Sequence, residues 1–185
     1  WADPRRLHAE GRRARMLLDG AREAVAAVLG ARTEEVRFAP SHAAAVHTGL
    51  LGVLAGRRRV GRTVVASAVE HSSVLHAAAF AGEAPVLVPV DRLGRVDVEA
   101  FAAAVSGDGV GLACLQHANG EVGTVQPVEA ARAAAQAHGV PLLVDAGASV
   151  GHLPAPAAWD VLATDASAWG GPPGVGVLAV RAGVR

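Results

Sequence analysis

The feature that most restricts the fold is an alternation. Short, nearly uninterrupted apolar runs at residues 36–39, 63–67, 85–90, 110–115, 142–144, 161–164 and 175–180 are spaced by helical segments and tight turns. Such runs are too short to be helices. They lack the two-residue polarity alternation of a strand with one wet face, so they read as strands buried on both sides. Strands of this kind, each followed by an amphipathic or Ala-rich helix, form a mainly parallel sheet covered by helices on both faces, a three-layer α-β-α sandwich. Nothing in the spacing suggests a second core, a repeat or a linker, so residues 1–185 are expected to form a single domain. The first residue is Trp1 rather than Met, which suggests a domain excised from a longer chain.

Local signals punctuate the alternation. A helix over 11–29 carries Met16, Leu17, Ala24, Val28 and Leu29 at helical spacing, and Gly30 stands at its C-terminal stop. Ser41 is an N-cap for an apolar helix through about residue 55, with Arg57, Arg58 and Arg59 following as charges that complement its C-terminal dipole. Helices are also expected over 73–81, from the cap Asp97 to about 105, and over 128–137, with a turn at Asp91–Gly94. In a parallel sheet ligands gather beyond the carboxyl ends of the strands. The residues there are Ser41 and His42, Glu70 and His71, His117 to Asn119, Asp145, and Asp165 to Ser167.

Charge and cysteine content narrow the function classes. Seventeen basic residues balance seventeen acidic ones, and every basic residue is arginine; the chain contains no lysine. A neutral, interspersed charge pattern argues against a nucleic-acid surface or a polybasic membrane surface. No apolar run approaches the roughly 20 residues that cross a bilayer. The one cysteine, Cys114, lies inside an apolar run and reads as a buried thiol, consistent with a cytoplasmic location. Eight histidines are present, but His42 and His47 fall on different helix faces, and no pair has metal-ligand spacing with a carboxylate or thiolate. No metal site is expected from spacing. Neither a nucleophile elbow nor a dinucleotide fingerprint occurs.

Four segments in order carry a family resemblance: Val69-Glu70-His71-Ser72-Ser73, His117-Ala118-Asn119-Gly120-Glu121, Val144-Asp145-Ala146-Gly147-Ala148, and Gly170-Gly171-Pro172-Pro173-Gly174. Together with Asp3-Pro4, His8 to Arg15 and Val36-Arg37-Phe38, they resemble the large domain of the class V aminotransferases, most closely the cysteine desulfurases. The resemblance implies the fold-type-I architecture of pyridoxal phosphate enzymes, with the small domain absent from this chain. It implies pyridoxal phosphate as cofactor, removal of sulfur from cysteine as the ancestral activity, a homodimer in the full-length form, and a sulfur-carrier or sulfur-acceptor protein as partner. Asp145 matches the carboxylate that keeps the cofactor's pyridine nitrogen protonated, and His71 matches the histidine that stacks on the ring. His42 and Ala43 stand where the first N–H groups of a helix receive the phosphate.

The same alignment shows departures. Ala43 replaces a phosphate-binding threonine, Gly120 an asparagine beside Asn119, and Ala148 a glutamine. Asp165, Ser167 and Ala168 stand where the family has a phosphate-binding serine, a histidine and the Schiff-base lysine. A slip of one or two residues near Trp169 changes these assignments without supplying a lysine. The family's nucleophilic cysteine belongs to a loop beyond this region, and Cys114 is no substitute. The resemblance therefore implies a desulfurase-like domain that is inactive as a pseudoenzyme. The alternative is a non-catalytic α/β scaffold or small-anion-binding module in which His42 and His71 are cationic contacts.

Overall fold

The computed structural model describes residues 2–82 and 84–184. Among them the strands are β1 (Val36–Ala39), β2 (Thr63–Ser67), β3 (Val86–Val88), β4 (Val110–Gln116), β5 (Leu142–Asp145), β6 (Val161–Asp165) and β7 (Gly176–Val180). They form one sheet in the order β1-β7-β6-β5-β4-β2-β3. The ladders β2–β3, β2–β4, β4–β5 and β5–β6 are parallel, and β7 runs antiparallel to both β6 and β1. A parallel return needs a crossover of about a dozen residues or more, usually through a helix. Residues 166–175 between β6 and β7 hold only a 3-10 turn (Ala166–Trp169) and a Gly-Pro turn, so β7 folds back antiparallel.

Five helices cover the sheet: α1 (Ala9–Leu29), α2 (His42–Gly56), α3 (Ser72–Phe80), α4 (Val98–Val105) and α5 (Val128–Ala137). Alternate residues of each strand serve opposite layers, as the two-residue strand period demands. On β4, Leu112 and Cys114 pack with Leu50, Val53 and Leu54 of α2 and with Val74 and Ala77 of α3. Ala113 and Leu115 join the opposite layer, with Phe101 of α4, Ala131 of α5 and Leu29 of α1. All of β4 is buried, which explains its unbroken apolar sequence.

The expected elements form with small shifts that have local causes. β3 is confined to Val86–Val88 because Pro85 and Pro89 bracket it and neither has an N–H for a ladder. α3 starts one residue early, since His71 rather than Ser72 caps it, with Nδ1 accepting from the Ser73 amide at 3.2 Å. Ser41 and Asp97 cap α2 and α4 as expected, and Gly30 closes α1 in the left-handed region at φ 58°. The arginine run begins at the C-terminal end of α2, as expected. Arg57 is its C-cap, and its guanidinium donates to the Gly139 carbonyl at 2.9 Å, tying α2 to the turn after α5. No helix among the described residues is long and apolar enough to cross a membrane.

Candidate functional site

The carboxyl ends of β2, β4, β5 and β6 surround a cavity of about 930 Å³, whose lining includes His42, Glu70, His71, Asn119, Asp145 and Asp165. Most of the residues expected at strand ends are thus brought together from segments far apart in sequence, but Ser41 serves as the cap of α2 and His117 is buried against the Ser149 hydroxyl.

At the β2 end the chain turns so that Glu70 points inward. Its Oε1 accepts from the Ser67 hydroxyl at 2.6 Å and from the Gln116 amide at 2.9 Å, while Oε2 is buried with no hydrogen-bond partner among the described residues. Burial pushes this carboxyl up to about 7, opposed by those two hydrogen bonds and assisted by the charge of Asp145. The Gln116 side-chain amide donates to the Val69 carbonyl at 2.8 Å, so the β2–α3 turn is pinned to the end of β4. The Asn119 side-chain oxygen accepts from the amides of Glu121 and Val122 in its own turn, and its Nδ2 donates to the Val69 carbonyl at 3.5 Å.

The centre of the cavity is a contact between α2 and β5. His42 donates from Nε2 to Asp145 Oδ1 at 2.7 Å, and the same oxygen accepts from the Gly147 amide at 2.9 Å. Burial opposes the imidazolium, but the hydrogen bond and charge of Asp145, with the charge of Asp165, outweigh it and raise the His42 pKa. Gly147 is what admits the ring. A Cβ there would stand 2.9 Å from His42 Nε2 and 3.2 Å from Asp145 Oδ1. The His71 ring meets that of His42 edge-on, with centroids 5.3 Å apart. Asp145 Oδ2 is buried and has no hydrogen-bond partner among the described residues.

The third side of the cavity is acidic. Asp165 ends β6 and caps the 3-10 turn, its Oδ1 accepting from the amides of Ser167 and Ala168 and from the Ser167 hydroxyl at 2.6 Å. Asp165 pairs in register with Gly176, where an added Cβ would fall 2.1 Å from the Ser41 carbonyl. The carboxylate therefore stands beside the N-terminus of α2, where the N–H groups of the first turn have no acceptor within the helix. Ala43 is exposed there, Ser167 is exposed, and Ala168 is half-buried.

Pyridoxal phosphate asks four things of such a cleft: a carboxylate for the ring nitrogen, a ring to stack on, a cationic or N–H-rich phosphate cradle, and an amine. The free Oδ2 of Asp145 and the His71 ring meet the first two. The last two fail, because Asp165 places negative charge at the cradle and Ala168 offers no amine. His42 already engages one oxygen of Asp145. The residues do not fit a covalently held cofactor.

One sequence expectation is corrected by this geometry. His42 aims its side chain at Asp145, so it is neither a free cationic contact nor only a backbone donor. Spacing along the chain showed no metal-ligating set, and the fold brings one possible set together. His42, His71 and Asp145 each offer a ligand atom within 4.8 Å of the others. Spacing along the chain missed them because they come from three separate strand ends; the signal available was that all three followed strands of one parallel sheet. Cys114 is buried as expected, and burial pushes its thiol pKa well up.

Comparison with known proteins agrees with this architecture. Residues 2–185 match the aminotransferase class-V family. The chain is 36% identical to a cysteine desulfurase of Cereibacter sphaeroides over all of its length and 49% of that protein. It is 31% identical to cysteine desulfurase IscS of Dictyoglomus turgidum over all of its length and 48% of that protein. A solved NifS-like protein superposes with a TM-score of 0.91 at 30% identity, covering 98% of this chain and 52% of the other. The chain spans about half the length of the relatives it matches, and across that half it belongs to the class V aminotransferase family as a cysteine desulfurase-like domain.

Proposed function

We propose that this chain is a pseudoenzyme form of the desulfurase large domain, which keeps the scaffold and cleft of the family without bonding pyridoxal phosphate. The carrying observation is the state of the anchoring end. Ala168 follows the Asp165 cap where the resemblance places the lysine, and no lysine exists elsewhere in the chain. Arginine is no replacement, because its guanidinium remains protonated and is not an amine nucleophile. Within this segment the single thiol, Cys114, is sealed within β4.

On this reading the chain serves sulfur transfer as a structural or regulatory component. Its partners are a second copy of the full-length protein and a sulfur-carrier or sulfur-acceptor protein, and its compartment is the cytoplasm. The family relationship supports the partner class, and the single buried thiol suits a reducing compartment. The test is to incubate the purified protein with pyridoxal phosphate, reduce with borohydride and record the intact mass. An unchanged mass and no yellow protein-bound absorbance are expected; a covalent adduct of one cofactor would overturn the reading.

A further inference from the structure

We propose that His42, His71 and Asp145 form a binding site for a divalent transition-metal cation of the zinc class. Two imidazoles and one carboxylate make a donor set suited to zinc and its neighbours, and three protein ligands leave a further position open. One ligand atom from each residue already lies within 4.8 Å of the others. Tetrahedral ligands at about 2.0–2.2 Å from zinc stand roughly 3.4 Å apart, so closure needs side-chain adjustment and no rearrangement of the sheet.

The surroundings prepare each ligand. His71 Nδ1 lies 2.7 Å from the Ser73 hydroxyl. The same nitrogen accepts from the Ser73 amide at 3.2 Å, so these contacts hold the ring in place, and the Nε2 proton leaves to solvent when that nitrogen takes the cation. His42 Nε2 and Asp145 Oδ1 are 2.7 Å apart and share a proton. A cation entering between them takes that proton's place, and the proton leaves to solvent. Asp145 is only 4% exposed, yet its Oδ2 has no partner among the described residues and borders the cavity. A buried acceptor left unbonded in this way costs free energy that a cation would recover. Gly147 lets the imidazole reach the carboxylate. The open coordination position would face the 930 Å³ cavity, where a water or a small anionic ligand could complete the shell.

This inference rests on the preceding reading only in requiring that no cofactor ring displaces His42 from Asp145. Cobalt(II) is the probe, added to chelator-treated protein without pyridoxal phosphate, followed by zinc. The expected result is a visible cobalt band that saturates at one equivalent and is abolished by zinc. His42→Gln, which keeps a donor for Asp145, and His71→Asn, which keeps a cap for α3, should each weaken binding at least about tenfold. His138→Ala, at an exposed residue beyond α5, should leave binding unchanged. No band overturns the proposal, as does a band that survives both cleft variants. Should a variant unfold, the native protein decides the matter by NMR. Cobalt must broaden the ring protons of His42 and His71 and spare those of His138; any other pattern sinks the proposal. Borohydride trapping tests the pseudoenzyme reading, and cobalt binding in cofactor-free protein tests this one, so either can fail alone.

Discussion

The two ends of the cleft differ in what their residues do for the fold. At the ring end, Glu70, His71 and Asp145 match the family resemblance, and each has structural work. Glu70 joins β2 to β4, His71 caps α3, and Asp145 holds the start of the following turn through the Gly147 amide. At the anchoring end, Ala43 and Ala168, which the resemblance aligns with the family's threonine and lysine, are exposed and half-buried and have no side-chain hydrogen bond to lose. The ring-end residues thus have roles in the fold itself, and the two alanines have none beyond their backbone. The surviving motifs at the ring end are therefore no sign that the cofactor binds.

Substitutions can break this comparison, beginning with the largest effect. Glu70→Ala leaves the Ser67 hydroxyl and Gln116 amide unsatisfied in a buried place and should lower unfolding stability by about 3 kcal/mol, measured by urea titration. A near-neutral result would remove the structural explanation for this residue's retention.

A carboxylate outside the cleft supplies the control. Burial favours protonation of Glu35, but the amides of Arg32 and Ala182 and the Arg32 guanidinium overcome it and hold its pKa near 2, against an ordinary 4.5. A depressed folded pKa contributes stability above the unfolded value and loses it as pH falls. Stability should fall between about pH 4.5 and 2, by roughly 2 kcal/mol after allowing for the exposed arginine partner. Glu35→Gln should flatten this part of a pH series of urea midpoints.

Asp145→Asn keeps an oxygen for the Gly147 amide and loses the charge, so a smaller cost of about 1 kcal/mol is expected. The His42 pKa, now raised, should move down because burial is left with less opposition, an effect read by NMR titration. In the parent protein the raised pKa stabilises the fold below the unfolded histidine value, and this contribution disappears as pH rises through the folded value. An unmoved His42 titration would break the pairing.

The smallest changes belong to the anchoring end. Ala43→Thr and Ser167→Ala, both at exposed positions, should shift stability by no more than about 0.5 kcal/mol. Ala168→Lys alone should still resist borohydride trapping of pyridoxal phosphate, because His42 already engages one oxygen of Asp145. The double variant His42→Ala with Ala168→Lys should show measurable trapping by intact mass. Equal trapping in both would show that His42 is no obstacle.

Much of the fold was legible because strands buried on both faces leave unbroken apolar runs, and helix ends leave caps such as Ser41 and Asp97. The direction of β7 was not legible in the same way, since it depends on whether residues 166–175 contain a crossover helix. The site was legible as a set of positions after strands. Its contacts were not: Asn119 holds its own turn and reaches the Val69 carbonyl, and Arg57 reaches across to the turn after α5.

By itself, the sequence determined the layered α/β class, the family likeness and the absence of any lysine for a Schiff base, because each depends on residue identity and local period. Only the tertiary structure decided that His42 faces Asp145, 103 positions away, and that His71 completes a cluster with them. The physical reason is that parallel strands bring their carboxyl ends to one edge regardless of the chain between them. Which side chains meet there depends on register, on the cap of α3 and on the missing Cβ of Gly147, none of which has a period to read.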